Sequence, residues 1–212
     1  MAVRYNTSIV SDGLVGYIDC VNPKCSPKTG TSPIALTDLS GGAVWYTQNG
    51  CTIGSNYITT DGNAGYIISN DTSYKNAWSP NSVTGNPSLT IEVVFSSSDT
   101  GGDIVSRQWS GSGEYNYQMG AGSFSLYAGG SSSSFGYTSI CDGNIKHMVW
   151  WMNQSQFGVY KNGVEYVGAT NHGITGGGGT AGSSGGGIIL GTLYPYGQGW
   201  GGNTGFLSLI HI

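Results

Sequence analysis

The sequence predicts an all-β protein built as a two-sheet antiparallel sandwich. Residues 144–167 contain two strand-like runs joined by Asn162-Gly163, a pair that type I′ hairpins favour because both central residues take positive φ. Residues 89–95 alternate as a half-buried strand does, with one apolar face. Roughly a dozen such short runs are separated by turn residues, and no amphipathic helix is longer than a turn or two.

Each strand is predicted from apolar, aromatic or β-branched residues that lie between turn signals. The first, residues 14–19, follows Asp12-Gly13 and leads into the turn Asn22-Pro23-Lys24. Residues 26–42 are predicted as a loop, and residues 61–65 as a turn. The remaining predicted strands are residues 43–47, 57–60, 66–69, 89–95, 103–109, 115–119, 123–128, 145–151, 156–160, 164–167, 188–190 and 205–212.

Two stretches rich in glycine interrupt this pattern. A Gly/Ser run at residues 129–134 is not among the predicted strands. Residues 173–187 include eight glycines between Gly176 and Gly187, and we expect them to form a long surface loop before the chain rejoins the sheets.

The composition indicates a particle-bound or extracellular protein. Charged residues make up 8% of the chain, against roughly 25% in ordinary soluble domains. Their place is taken by Gly, Ser, Thr, Asn and Tyr, which form the surface that remains when charges are removed. The net charge of −4 and the scattered basic residues give no basis for nucleic-acid binding. No run approaches 18 apolar residues, so no membrane insertion is expected.

The start of the sequence lacks the apolar core of a secretory signal peptide. An extracellular type of composition without such a signal indicates synthesis and assembly in a host cytoplasm followed by release. Virus particles are made in this way, and we therefore expect a location on the virion surface.

Four cysteines leave three alternatives open. Cys20 and Cys25 are close enough in sequence to bridge a loop, whereas Cys51 and Cys141 stand apart. The alternatives are free buried thiols, one or more disulfides, and a metal site, although the paired spacings that zinc requires are absent.

A series of short motifs runs through nearly the whole chain in a familiar order. They are GLVGYID at 13–19, NPK at 22–24, TDLSG at 37–41, DG at 61–62 with YI at 66–67, LTIE at 89–92, KHMVW at 146–150, YKNGV at 160–164, ILG at 189–191 and GFLSLIHI at 205–212. With these motifs the chain resembles the concanavalin A-like lectin/glucanase superfamily, in particular the laminin-G-like jelly rolls of bacteriophage and bacterial surface proteins. The resemblance implies a jelly-roll sandwich and one domain over residues 1–212, with a short N-terminal arm at about residues 1–12.

The chain departs from this family at two places. Relatives often carry a second acidic residue after the Asp-Gly turn, where this chain has Asn63-Ala64-Gly65. Relatives also usually continue beyond the last strand, whereas this sequence stops at Ile212, so we expect the last strand to lack its usual support.

The carboxylates do not match a glycosidase. Glycoside hydrolysis needs two carboxyl groups flanking the scissile bond, which this superfamily's glycosidases place as Glu-x-Asp-x-x-Glu on one strand. The three glutamates, Glu92, Glu114 and Glu165, do not have that spacing. We predict a structural hydrogen-bonding role for Glu92, a packed or hydrogen-bonded His147, and no catalytic residues. Hydrolase elbows and phosphate-binding loops are also missing.

Binding residues are predicted among loop aspartates and aromatic residues. Family analogy allows a calcium site, for which Asp61 and Asp103 are the candidates, although aspartates at turns mostly cap backbone groups. No other cofactor is expected. Aromatic rings near loops could stack on sugars or fill the sandwich and face a neighbouring subunit. The residues selected for glycan binding are Trp109, Tyr115, Tyr194, Tyr196 and Trp200.

These observations predict a non-enzymatic structural protein of a tailed-phage virion, as a capsid decoration or a fibre component. Its partners would be other virion proteins, in a multimeric arrangement, together with host or environmental glycans. A free carbohydrate-binding lectin or adhesin is the alternative, and a glycan-cleaving enzyme is a third hypothesis from another class.

Overall fold

The computed structural model describes thirteen stretches of the chain. They are residues 16–26, 30–31, 33–40, 44–54, 57–61, 65–69, 89–98, 103–107, 116–128, 131–153, 155–174, 188–191 and 204–211. The proposed N-terminal arm lies outside them, so the division into one domain with an arm stays a prediction. No helix in these stretches has the length and apolarity needed to cross a bilayer.

Seventeen strands make up the described structure. They are β1 (Gly16–Asp19), β2 (Gly30–Thr31), β3 (Ala35–Thr37), β4 (Val44–Gln48), β5 (Thr52–Ile53), β6 (Ile58–Thr59), β7 (Tyr66–Ser69), β8 (Leu89–Ser97), β9 (Asp103–Arg107), β10 (Asn116–Gly120), β11 (Ser123–Ala128), β12 (Ser131–Gly136), β13 (Ile145–Met152), β14 (Gln156–Lys161), β15 (Val164–Asn171), β16 (Ile188–Leu190) and β17 (Thr204–His211).

The strands form two antiparallel sheets, as the sequence predicts. The nine-stranded sheet runs β15-β14-β13-β8-β17-β6-β5-β2, with β1 also paired to β17. The eight-stranded sheet runs β12-β11-β10-β9-β16-β7-β4-β3. The predicted hairpin is confirmed: Asn162 (φ 52°) and Gly163 (φ 79°) join β14 to β15, with Lys161 opposite Val164.

The last strand is not unsupported, contrary to expectation. β17 pairs with β8 along one edge, and with β1 and β6 along the other. It is therefore an interior strand of the nine-stranded sheet. Its backbone groups are satisfied on both sides by strands far away in sequence.

Three regions without a strand prediction also contribute strands. Ser131–Gly136 pairs with β11 along its whole length, Gly30–Thr31 and Ala35–Thr37 inside the predicted 26–42 loop pair with β5 and β4, and Thr52–Ile53 pairs with β2 and β6. The first is mostly serine without apolar alternation and the other three are only two or three residues long, so local sequence does not reveal these strands. Phe135 in β12 packs on the core and Leu36 in β3 lies within it, which draws both segments onto the sheet.

The two sheets enclose one hydrophobic core. Alternation in β8 is confirmed, with its apolar face fully buried and Thr90, Glu92 and Val94 half-buried on the other face. The largest fully buried side chains come from both sheets: Trp45, Trp150, Tyr117, Phe95, Phe124 and Phe157. At one side, Phe157 of β14 stacks on Phe135 (4.3 Å between centroids) and meets Phe124 edge-on (5.2 Å), so aromatic rings join the two sheets there.

A buried carboxylate ties the sheets together at another point. Asp38, 3% exposed, follows β3, and its Oδ1 accepts hydrogen bonds from the Tyr17 N–H (3.0 Å) and from the N–H and Oγ of Ser40 (2.8 and 2.5 Å). Its Oδ2 accepts the Trp45 indole N–H at 3.1 Å. Tyr17 belongs to the nine-stranded sheet and Trp45 to the eight-stranded sheet. One side chain therefore links β1 to β4, and four donors compensate its loss of solvent.

Replacement of Asp38 by Asn should lower the free energy of unfolding by about 3 kcal/mol. The amide keeps the shape of the carboxylate, but its NH2 group must face a donor, either the Trp45 indole or the cluster around Oδ1. In a Trp45→Phe background the amide NH2 no longer meets the indole N–H. Asp38→Asn should therefore lower the free energy of unfolding by about 1–2 kcal/mol less in this background than in the parent. Urea denaturation of the four proteins in this double-mutant cycle measures both numbers. Strict additivity would contradict the assigned contact.

Candidate functional site

The five aromatic residues selected from the sequence lie outside the described residues. They are Trp109, Tyr115, Tyr194, Tyr196 and Trp200. Their role in glycan binding stays a prediction.

The two aspartates predicted for calcium belong to different sheets. Asp61 follows β6 and is exposed, and its Oδ1 accepts the Gly65 N–H at 2.7 Å, the backbone-capping role common at turns. Asp103 begins β9, where burial raises its pKa to about 6. In the described stretches, no three His, Cys, Asp or Glu side chains come together as a metal site. Calcium binding stays a prediction.

The four cysteines are free and buried in the structure. Burial raises the pKa of Cys25 to about 11 and that of Cys51 to about 12, and it also raises the pKa of Cys20. Thiols of this kind stay protonated and react slowly. Of the three alternatives for the cysteines (free buried thiols, disulfides or a metal site), the structure agrees with the first.

A half-exposed polar and aromatic surface lies on the outer face of the nine-stranded sheet. Strands β1, β8, β13 and β14 each contribute outward-pointing residues to it. We call it the outer-face patch and define it as Tyr17, Glu92, His147, Val149, Trp151 and Tyr160.

Strand register brings these residues together. Tyr160 lies opposite Val149, which lies opposite Glu92. Backbone pairing continues from Glu92 through Ile210 of β17 to Tyr17 of β1. With neighbouring strands about 4.8 Å apart, this row of five strands extends about 19 Å. The patch is therefore long enough to contact several sugar rings in a row.

Trp151 is held against the sheet by a glycine on the next strand. Trp151 lies opposite Gly158, and a Cβ placed on Gly158 would come within 2.8–2.9 Å of indole atoms Nε1, Cε2 and Cζ2. Only a residue without a side chain leaves that space. The indole is half-buried, so it is supported by the backbone and still partly open to solvent.

Glu92 and His147 form the polar centre of the patch. The His147 Nε2–H donates to Glu92 Oε1 at 2.9 Å, and the side chains are 34% exposed for Glu92 and 39% for His147. Glu92 and His147 are therefore hydrogen-bonded to each other, and a structural role for Glu92 stays a prediction. At this exposure the pair adds little stability because water screens it. Its remaining lone pairs are accessible to a ligand.

Two further contacts fix the surroundings of this pair. The His147 N–H donates to Asn162 Oδ1 (3.0 Å), and its carbonyl accepts the Asn162 N–H (2.7 Å), which anchors the hairpin turn to β13. The Tyr17 hydroxyl donates to Asp19 Oδ2 at 3.2 Å. Burial, followed by the charge of Asp19 and more weakly that of Glu92, raises the Tyr17 pKa to about 12, so the phenol stays a donor.

Comparison with solved structures finds the same all-β architecture in larger proteins. Trypanosoma rangeli sialidase superposes with a TM-score of 0.62 and 12% identity, over 100% of this chain and 32% of that chain. The receptor-binding domain of botulinum neurotoxin mosaic serotype C/D gives 0.59 and 12%, over 96% of this chain and 48% of that one. The chain thus spans about a third of the sialidase and about half of the toxin domain. At this identity the likeness shows the fold alone.

The sequence matches no protein-family model and no curated protein. The likeness to solved structures confirms the predicted all-β class.

Sequence reasoning did not select the outer-face patch. Alternation in residues 145–151 puts His147, Val149 and Trp151 on one face, and that signal was available. The contributions of Tyr17 and Tyr160 depend on register across five strands, which local sequence does not specify.

The raised pKa of Asp103 predicts a pH dependence of stability. The folded state binds the proton up to about pH 6, whereas an unfolded aspartate releases it near pH 4, so stability falls between these values as pH rises. The loss should be about 2 kcal/mol, with allowance for partial exposure. Asp103→Asn removes this pH-dependent loss. The free energy of unfolding of the variant, relative to that of the parent, should therefore rise by about 2 kcal/mol from pH 4 to pH 7. Denaturation at each pH measures the difference.

The same variant tests the calcium prediction. Calcium bound by the Asp103 carboxylate would raise the stability of the parent protein at pH 7 and leave that of Asp103→Asn unchanged. Equal responses of the two proteins to calcium would contradict a ligand role for Asp103.

Proposed function

We propose that this chain is a non-enzymatic carbohydrate-binding module of the concanavalin A-like, laminin-G-like kind, folded as a jelly roll. The outer-face patch is the observation that carries the proposal. Aromatic rings that are partly open to solvent offer flat apolar surfaces for sugar rings, and Glu92 offers a charge-assisted acceptor for sugar hydroxyls. Such a combination of flat rings and a few fixed polar groups is what small-molecule binding surfaces use.

The arrangement around Glu92 supports a binding role over hydrolysis. The described partner of this carboxylate is the His147 imidazole, whereas a glycosidase requires a second carboxyl group across the scissile bond. Release of reducing sugar from a glycan that the protein binds would favour the enzyme hypothesis instead.

We further propose that the module is a structural component of a tailed-phage particle, as a capsid decoration or a fibre subunit at the virion surface. The support comes from composition: charged residues make up 8% of the chain, and 38 of its 212 residues are glycine. Multimeric contact with other virion proteins follows from this role. Mass spectrometry of purified particles tests it, because many copies per particle favour the virion protein and absence from particles favours a free lectin.

Glycan binding should depend on the patch. In a glycan-array screen with and without calcium, we expect saturable binding that Trp151→Ala and Tyr160→Ala each weaken about tenfold, equivalent to about 1.4 kcal/mol. Tyr46→Ala is the matched control: Tyr46 is 36% exposed and Tyr160 37%, but Tyr46 lies on the outer face of the other sheet. Trp200→Ala and Tyr196→Ala test the residues selected from sequence.

The outcomes separate the two locations. Loss of binding in the patch variants alone supports the outer-face patch, and loss in Trp200→Ala or Tyr196→Ala alone moves the site to residues 194–200. No binding with or without calcium would overturn the carbohydrate-binding proposal.

Gly158→Ala should disrupt the same surface without removing a ring. The new methyl group would collide with the indole of Trp151, which must then turn away from the sheet. We expect weaker glycan binding and a shift in tryptophan fluorescence, with the free energy of unfolding changed by less than about 1 kcal/mol. Unaltered binding in this variant would show that the orientation of Trp151 does not matter.

A further inference from the structure

We infer that the outer-face patch selects uncharged glycans and rejects acidic ones. This inference rests on the proposed carbohydrate-binding function and adds the class of ligand. The charges on and around the patch carry it.

Three carboxylates lie on the outer face of the sheet. Glu92 is at its centre, Asp19 is two residues from Tyr17 on the same face of β1, and Glu165 lies opposite Tyr160 at the start of β15. Two of them are near the Tyr17 hydroxyl, since the charge of Asp19 and, more weakly, that of Glu92 contribute to the raised pKa of this tyrosine. A ligand on the patch therefore meets a negative potential.

No lysine lies on the outward-facing positions that the structure describes for β1, β8, β13 and β14. Lys146 occupies an inward position of β13 and donates to Asp142 at 2.6 Å, a bond that lowers the pKa of Asp142 to about 2. Lys161 lies 3.7 Å above the ring of Tyr166, and Lys24 is in the turn after β1. Within the described part of β1, β8, β13 and β14, the only basic group facing outward is His147, and Glu92 holds it.

The negative charges around the patch favour a sugar hydroxyl and disfavour a sugar carboxylate. A sugar hydroxyl can donate to Glu92 and form a charge-assisted hydrogen bond. A sugar carboxylate would approach Glu92, Asp19 or Glu165 without an outward-facing lysine on β1, β8, β13 or β14 to pair with, and it would lose hydration that these strands do not replace. Discrimination therefore comes from repulsion of the acidic group, whereas the aromatic rings and the hydrogen bond from a sugar hydroxyl to Glu92 supply affinity for both kinds of glycan.

Matched glycan pairs test this inference on the full-length chain. Each pair consists of an uncharged oligosaccharide and the same oligosaccharide with a terminal sialic acid or uronic acid, titrated at low and at moderate ionic strength. We expect the uncharged member to bind at least about tenfold more tightly, and we expect added salt to narrow this ratio because it screens the repulsion.

Two variants connect the ratio to the patch. Glu92→Gln and Glu165→Gln each remove one negative charge and keep the side-chain length, so each should reduce the ratio between the two members of a pair by several-fold. The ratio is the readout because both members of a pair carry the same neutral oligosaccharide, so a weaker hydrogen bond from its hydroxyls to residue 92 affects both affinities and cancels in the ratio. Tyr46→Ala, on the other sheet, should leave the ratio unchanged.

The possible results are distinct. Equal or tighter binding of the acidic member would overturn this inference and leave the carbohydrate-binding function standing. A preference that survives both charge substitutions and added salt would overturn the assignment to these carboxylates. No binding of any glycan would overturn the proposed function itself, and this inference with it.

Discussion

The nine-stranded sheet depends on the backbone pairing of β17. This strand hydrogen-bonds to β8 on one edge and to β1 and β6 on the other, so among the described strands it alone joins β15-β14-β13-β8 to the rest of the sheet. Its residues 208–211 pair with residues 16–19, at almost the full separation that the chain permits. Such non-local pairing is slow to form because loop-closure entropy is lost before the contacts are gained. Tyr17 and Glu92 lie on opposite sides of β17, so Tyr17 joins the rest of the outer-face patch only when this strand is in place.

The polar contacts divide into those that hold the fold and those that face solvent. Asp38 is buried and accepts four hydrogen bonds, one from each sheet and two from Ser40, so these bonds have little competition from water. The Glu92–His147 pair has a similar donor–acceptor distance but is about one-third exposed, and it can exchange partners at low cost. Burial, more than bond length, separates the structural carboxylate from the one available for recognition.

The sequence was sufficient where a signal is local. The Asn162-Gly163 turn and the alternation of residues 89–95 each predict their element from neighbouring residues, and both are confirmed. Ser131–Gly136 escaped prediction because its serines favour no structure, and pairing with β11 decides its conformation. The patch escaped because Trp151 depends on Gly158 across the sheet and Tyr17 depends on a strand about 190 residues away. The aromatic residues that the sequence predicts for glycan binding are identified by their position near loops. That position says nothing about partners on neighbouring strands.

The four buried thiols can also report local unfolding of this protein. Cys20 and Cys25 flank the turn after β1, Cys51 precedes β5 and Cys141 precedes β13, so each samples a different part of the sandwich. Because burial shields all four sulfurs, a thiol-alkylating reagent should modify each sulfur only during excursions that expose it. The order in which the four sulfurs are alkylated would then give the hierarchy of local unfolding events. Release of the β1 segment from β17 could be followed through Cys20 without any engineered label.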